Sequence, residues 1–134
     1  MSAISDWAEN LQKWAIPDEI LEQAPESPWI HPPELFVAGE TIEQSPSHQR
    51  AIEGLPENGA VLDIGCGGGI AAFACASKAK VVIGVDHQTK MLEMFAQRAE
   101  KENLQHAEIL GDWPEVSPQT PLADVVTCHH VVYN

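Results

Sequence analysis

At 134 residues, 44% hydrophobic and 20% charged, the chain is long enough for one domain or part of one and apolar enough to bury a core. No apolar run reaches the length of a membrane span, and Met1-Ser2-Ala3-Ile4-Ser5-Asp6 lacks the basic-then-apolar pattern of a secretory signal, so the expected location is cytoplasmic. Seven basic against 20 acidic residues give a net charge of −13, a surface that repels phosphate backbones and anionic lipids and argues against nucleic-acid and membrane partners. The excess is concentrated at the front, where residues 1–59 hold 11 acids and two bases, against nine and five in residues 60–134.

In chain order, the first expected element is a helix from Ser5 to Ala15, with Trp7, Leu11 and Trp14 on one face and Ser5 as a cap. Pro17 starts a second helix, with Asp18 and Glu19 in the turn where the helix dipole favours acids. Ala24 to Pro33 is proline-rich and too poor in N–H donors for either regular structure. Ser45-Pro46 opens a third helix carrying Ala51, Ile52 and Leu55, and Pro56-Glu57-Asn58-Gly59 turns the chain into an apolar strand. Residues 1–59 thus form an expected helical cap and residues 60–134 an expected core.

That strand runs into Val61-Leu62-Asp63-Ile64-Gly65-Cys66-Gly67-Gly68-Gly69, the pattern D-x-G-x-G-x-G. The glycines allow a sharp turn and a close approach of backbone to ligand. The charge on Asp63 then selects the ligand. A diphosphate on the following helix would be repelled by it, whereas a cofactor bearing an ammonium and a sulfonium would be attracted. This points to S-adenosylmethionine, and it rests on Asp63 facing the ligand.

After the loop, Ile70 to Ala79 reads as a helix pressed on a sheet, and Val81 to Val85 as a buried parallel strand. Asp86 follows about 20 residues beyond Gly65, where an acid meets a ribose diol. Thr89 to Asn103 is an amphipathic helix, with Met91, Leu92, Phe95, Ala96 and Ala99 on the inner face and Lys90, Glu93, Arg98 and Lys101 on the outer. A third strand, Ala107 to Leu110, runs into Gly111-Asp112-Trp113. A fourth, Asp124 to Cys128, delivers His129-His130-Val131-Val132-Tyr133-Asn134 to the carboxyl edge of the sheet.

Residues Val61 to Gly69 resemble motif I of the class I S-adenosylmethionine-dependent methyltransferases, and the chain from Ala60 onward stays in step with that family. The resemblance implies an α/β Rossmann-like methyltransferase fold, with parallel strands in the order 3-2-1-4 behind an N-terminal helical cap. It implies S-adenosyl-L-methionine as cofactor, bordered by Asp63, Gly65, Cys66, Gly67, Gly69, Asp86, His87, Asp112, Trp113 and His129. Asp112 would accept from the adenine amino group, with Trp113 packed on the base and His87 beside it. Trp14, Trp29, His31 and Phe36 become candidates for touching the acceptor. The family's Asn-Pro-Pro-aromatic signature for DNA-base amines is absent after the fourth strand, and the expected acceptor is an unidentified small molecule.

His129 and His130 are the catalytic candidates. Neighbours on an extended chain point to opposite sides, so at most one faces the ligand, and either can titrate near neutrality. Without a third ligand they make no metal site. Cys66, Cys75 and Cys128 have neither disulfide nor zinc spacing, and the thiol of Cys66 reads as packing.

The family core has seven strands and four are placed here, which leaves the fourth with an open edge. The expectation is the front portion of a longer protein; alone, it should be weakly stable, prone to associate through that edge and inactive. Two other readings stand beside the methyltransferase. Gly67 to Ala72 fits the looser G-x-G-x-x-A loop of an NAD-dependent oxidoreductase, at the cost of leaving Asp63 without a purpose. The third is a non-catalytic, truncated methyltransferase remnant.

Overall fold

The computed structural model describes residues 2–129 and Val131. It divides into two compact units, Met1–His31 and Pro32–Asn134. In the first, α1 (Ala3–Trp14) begins before the expected Ser5, because the Ser2 hydroxyl accepts the Ser5 N–H at 3.2 Å and caps the helix there. Both serines are competent caps, and the earlier one leaves a longer run of helical hydrogen bonds. The single-turn helix α2 (Asp18–Leu21) follows Pro17, with Asp18 and Glu19 in its first turn.

The second unit opens with a 3₁₀ turn, Pro33–Phe36, and then runs α3 (Pro46–Gly54), β1 (Gly59–Ile64), α4 (Ile70–Ala74), β2 (Ala79–Asp86), α5 (Thr89–Lys101), β3 (Gln105–Leu110) and β4 (Val125–Cys128). Every pairing is parallel and the order is β3-β2-β1-β4, as expected. Strand alternation sorts the core into two layers. Val61 and Val82 meet Leu55, Ala72, Phe73, Leu92, Phe95 and Ala99 on the helical side. Leu62, Ile64, Ile83 and Val85 gather on the other face with Val116, from the connection between β3 and β4. Asp124 fastens the start of β1, its carboxylate accepting the Ala60 N–H at 2.8 Å and its own N–H reaching the Ala60 carbonyl at 2.9 Å.

The helix expected over Ile70 to Ala79 stops at Ala74. The Lys78 and Ala79 N–H groups both reach the Cys75 carbonyl at 3.0 Å, tightening the chain so that β2 can begin at Ala79 opposite Gly59. A run that is apolar all round carries no periodicity to mark where helix gives way to turn.

Candidate functional site

The loop between β1 and α4 holds its shape through glycine. Gly65, Gly67 and Gly69 have φ of +65°, +53° and +91°, a region that L side chains avoid. Within it, each amide from Cys66 to Gly69 already has a partner inside the protein. Cys66 N–H donates to the Val85 carbonyl (2.9 Å), Gly67 N–H to Asp86 Oδ2 (3.0 Å), Gly68 N–H to the Phe36 carbonyl (3.0 Å) and Gly69 N–H to the Cys66 carbonyl (2.9 Å). Phosphate-binding loops work by offering such groups to the ligand. These four are already used within the protein and are not on offer to a diphosphate.

Asp63 corrects the sequence reading. It is 2% exposed and faces α4, because it shares the inner side of β1 with Val61. Its Oδ2 accepts the Ala72 N–H at 3.3 Å and its Oδ1 the Thr127 hydroxyl at 2.9 Å. Ala72 is the third residue of α4, whose N-cap, Gly69, has no side chain to donate to this role. Asp63 therefore supplies from the strand the acceptor that a cap residue would provide. Burial pushes its pKa up to about 7; the bonds from Thr127 and Ala72 pull it down, and the nearby charge of Asp86 pushes it up again. The expectation that Asp63 meets a cationic ligand directly is overturned, and the electrostatic choice built on it goes with it.

Two further loop residues turn inward. The Cys66 thiol is buried, donates to the Gly67 carbonyl at 3.3 Å and leaves no room for a Cβ at Gly84; burial raises its pKa well above the usual thiol value. The thiol is a packing group. The open side of Gly69 faces the rings of Phe73 and Phe95, not a cleft. Gly65 and Gly67 are covered too, by the Val131 side chain over the first and Phe36 over the second.

The rim of the sheet gathers the remaining expected residues. Asp86 ends β2 half-buried, accepting from Gly67 N–H and, at 2.9 Å, from Gln88 N–H, so its four lone-pair sites are only partly used. His87 Nδ1 lies 3.3 Å from Asp112 Oδ1, and exposed Trp113 follows. Gly111 N–H returns to the Asp86 carbonyl at 3.0 Å, which ties the ends of β2 and β3 together. Asp86, His87, Asp112 and Trp113 thus meet at the carboxyl ends of neighbouring strands, where open α/β sheets bind ligands.

His129 lies beyond β4, its ring stacked on that of His48, with centroids 5.1 Å apart and planes 10° apart. His48 is buried, and its Nδ1 accepts the Ser45 N–H at 3.2 Å in a capping box that opens α3. Burial, and then the proximity of His129, lower its pKa. His130 lies outside the described residues. Among the described residues no group of three or more His, Cys, Asp or Glu could hold a metal, and no helix is long and apolar enough to cross a membrane.

Arg98 also departs from expectation. Read as part of the outer face of α5, its side chain is only 12% exposed. The guanidinium donates to the carbonyls of Ala38 (3.0 Å), Gly39 (2.6 Å) and Glu40 (3.3 Å) and to Glu102 (2.8 Å). Its place one turn beyond Phe95 and four residues before Glu102 is the only trace of this in the sequence.

A parallel sheet ordered 3-2-1-4, a glycine loop after its first strand and an acid at the tip of the second define a Rossmann-like α/β domain. Residues 61–134, more than half the chain, match the family described as a methyltransferase domain, and the chain belongs to that family. The ubiquinone biosynthesis O-methyltransferase of Paracidovorax citrulli is 39% identical over 72 residues, 51% of this chain and 29% of that protein. The matched part is thus under a third of the relative's length. Among solved structures, the C-terminal domain of precorrin-6Y C5,15-methyltransferase from Rhodobacter capsulatus superposes with a TM-score of 0.54 at 20% identity, covering 72% of this chain and 54% of that one. M. capricolum TrmK in complex with S-adenosyl-homocysteine gives 0.51 at 21% identity, with 63% and 40% covered. Both share the fold.

Proposed function

We propose that this chain forms the S-adenosylmethionine-binding part of a cytoplasmic methyltransferase acting on a small molecule. The observation that carries the reading is the glycine loop beside Asp86: Asp86 offers carboxylate oxygens for hydroxyl groups, while the amides from Cys66 to Gly69 are already bonded within the protein. An adenosine without a phosphate fits that donor set. Asp86 would hold the ribose hydroxyls, Gly65 and Gly67 would give the loop beside it the sharp turn it needs, and His87, Asp112 and Trp113 would flank the base. When bound, the cofactor supplies a methyl group on a sulfonium, a reactive centre that needs little beyond alignment and exclusion of water. Val131 over Gly65 and Phe36 over Gly67 place apolar groups beside that loop and support water exclusion. His129, held flat on a buried imidazole, is the described group suited to taking a proton from an acceptor. The relatives are O-methyltransferases by name, which supports an oxygen acceptor.

Calorimetry of the full-length protein with S-adenosylhomocysteine tests the reading. Saturable heat is expected, weakened about ten- to a hundredfold by Asp86→Ala through loss of charge-assisted hydrogen bonds. Heat with NADH and none with S-adenosylhomocysteine would favour the oxidoreductase; heat with neither would favour the non-catalytic remnant.

A further inference from the structure

The segment from Phe36 to Glu40 lies along the glycine loop. Val37 and Gly68 form a parallel bridge, the Phe36 carbonyl takes the Gly68 N–H, and a Cβ at Gly68 would collide with that carbonyl. A Cβ at Gly67 would stand 3.1 Å from Phe36 Cβ. On its other side the segment is clamped by Arg98, through the carbonyls of Ala38, Gly39 and Glu40. Glu102 fixes the guanidinium from behind, and the Phe73 ring lies 5.7 Å from its central carbon. Arg98 sits on the polar side of α5 and touches no loop residue by any of these bonds, yet it spends them on three successive carbonyls of one strap. A planar five-donor fork suits that task, whereas an ammonium presents a single point of donation.

We propose that Arg98 is a positioning residue for the cofactor loop, acting through the strap Phe36–Glu40. The strap does two things at once. It fixes the backbone at Gly67 and Gly68 in the shape the cofactor meets, and it occupies the Gly68 amide that a phosphate would otherwise use. The effect on cofactor affinity rests on the methyltransferase reading above, while the effect on the loop does not.

The test uses the full-length protein with Arg98→Met, which keeps the apolar stem and removes every donor, and Arg98→Lys, which keeps the charge. Amide hydrogen exchange is followed at Gly68 and at Val82 in the core, and S-adenosylhomocysteine affinity by calorimetry. In Arg98→Met, Gly68 is expected to exchange at least about tenfold faster with Val82 unchanged, and affinity to fall about tenfold, as for losing a hydrogen bond to a charged group. Arg98→Lys should fall between this and the native protein. If Arg98→Met fails to fold, Arg98→Lys carries the same comparison. Unchanged Gly68 exchange overturns the proposal, and so does acceleration shared equally by Val82, which would make Arg98 a general stabiliser. If the native protein binds no S-adenosylhomocysteine, the methyltransferase reading fails and with it the proposed role toward the cofactor, whereas the exchange data still decide whether Arg98 holds the loop.

Discussion

Replacing Gly69 with alanine, the smallest possible change, is expected to destabilise the fold by roughly 2–5 kcal/mol. Two effects add. An L residue in the left-handed region costs about 1–2 kcal/mol, and Gly69 has φ +91°. The new methyl would stand 2.6 Å from Phe73 Cδ2 and 2.9 Å from Phe95 Cδ2. Those rings pack against each other at 5.1 Å between centroids, and forcing them apart costs about 1–3 kcal/mol. Set against a typical total of roughly 5–15 kcal/mol, this is a large fraction. Urea denaturation of the full-length protein measures it. Gly39→Ala is the control, since the added methyl there meets only the Thr41 carbonyl, at 3.5 Å, and its effect should be small. A midpoint shifted no more by Gly69→Ala than by Gly39→Ala would mean that the aromatic pair yields freely.

The second large effect is a pH dependence set by Asp63. Its carboxyl is pushed from the ordinary 3.8 up to about 7 in the folded protein. The folded state therefore binds the proton more tightly than the unfolded chain, so the stabilisation from protonation is fully present below pH 4 and is lost as pH rises to 7. Three units correspond to about 4 kcal/mol. Asp63→Asn removes the ionisation while keeping an acceptor for Ala72 N–H. Thr127 can adjust, because its hydroxyl also lies 3.4 Å from the Leu62 carbonyl and can donate there while accepting from the new amide. The unfolding free energy of Asp63→Asn should therefore gain on that of the native protein by about 4 kcal/mol between pH 4 and pH 8. Other carboxyl groups titrate in both proteins and cancel in the comparison. Parallel pH curves would show that Asp63 is already ionised without penalty.

Much of the architecture could be read from the residues alone. Val61 to Ile64 and Val81 to Val85 read as covered parallel strands and Val125 to Cys128 as a strand beside them, where Val126 is 57% exposed, and the glycines after the first strand lead the chain into a helix. The acids at 86 and 112 then fall at strand tips because the sheet is regular. Asp63 was misread because its charge was weighed before its place in the alternation; sharing a side with Val61, it had to face the helices. Arg98 was misread for a complementary reason. Helical periodicity assigns a charged residue to solvent, but the carbonyls it holds lie 58 to 60 residues away in the chain, beyond anything periodicity reports. The stacking of His129 on His48 was hidden in the same way, since it joins the end of β4 to a helix 81 residues earlier.

Because the four amides of the glycine loop are satisfied before any ligand arrives, a binding event has no backbone to order there, and that free energy stays available for affinity. The same closure works as a filter. A phosphate reaching these four residues would find their amides already engaged with Val85, Asp86, Phe36 and Cys66.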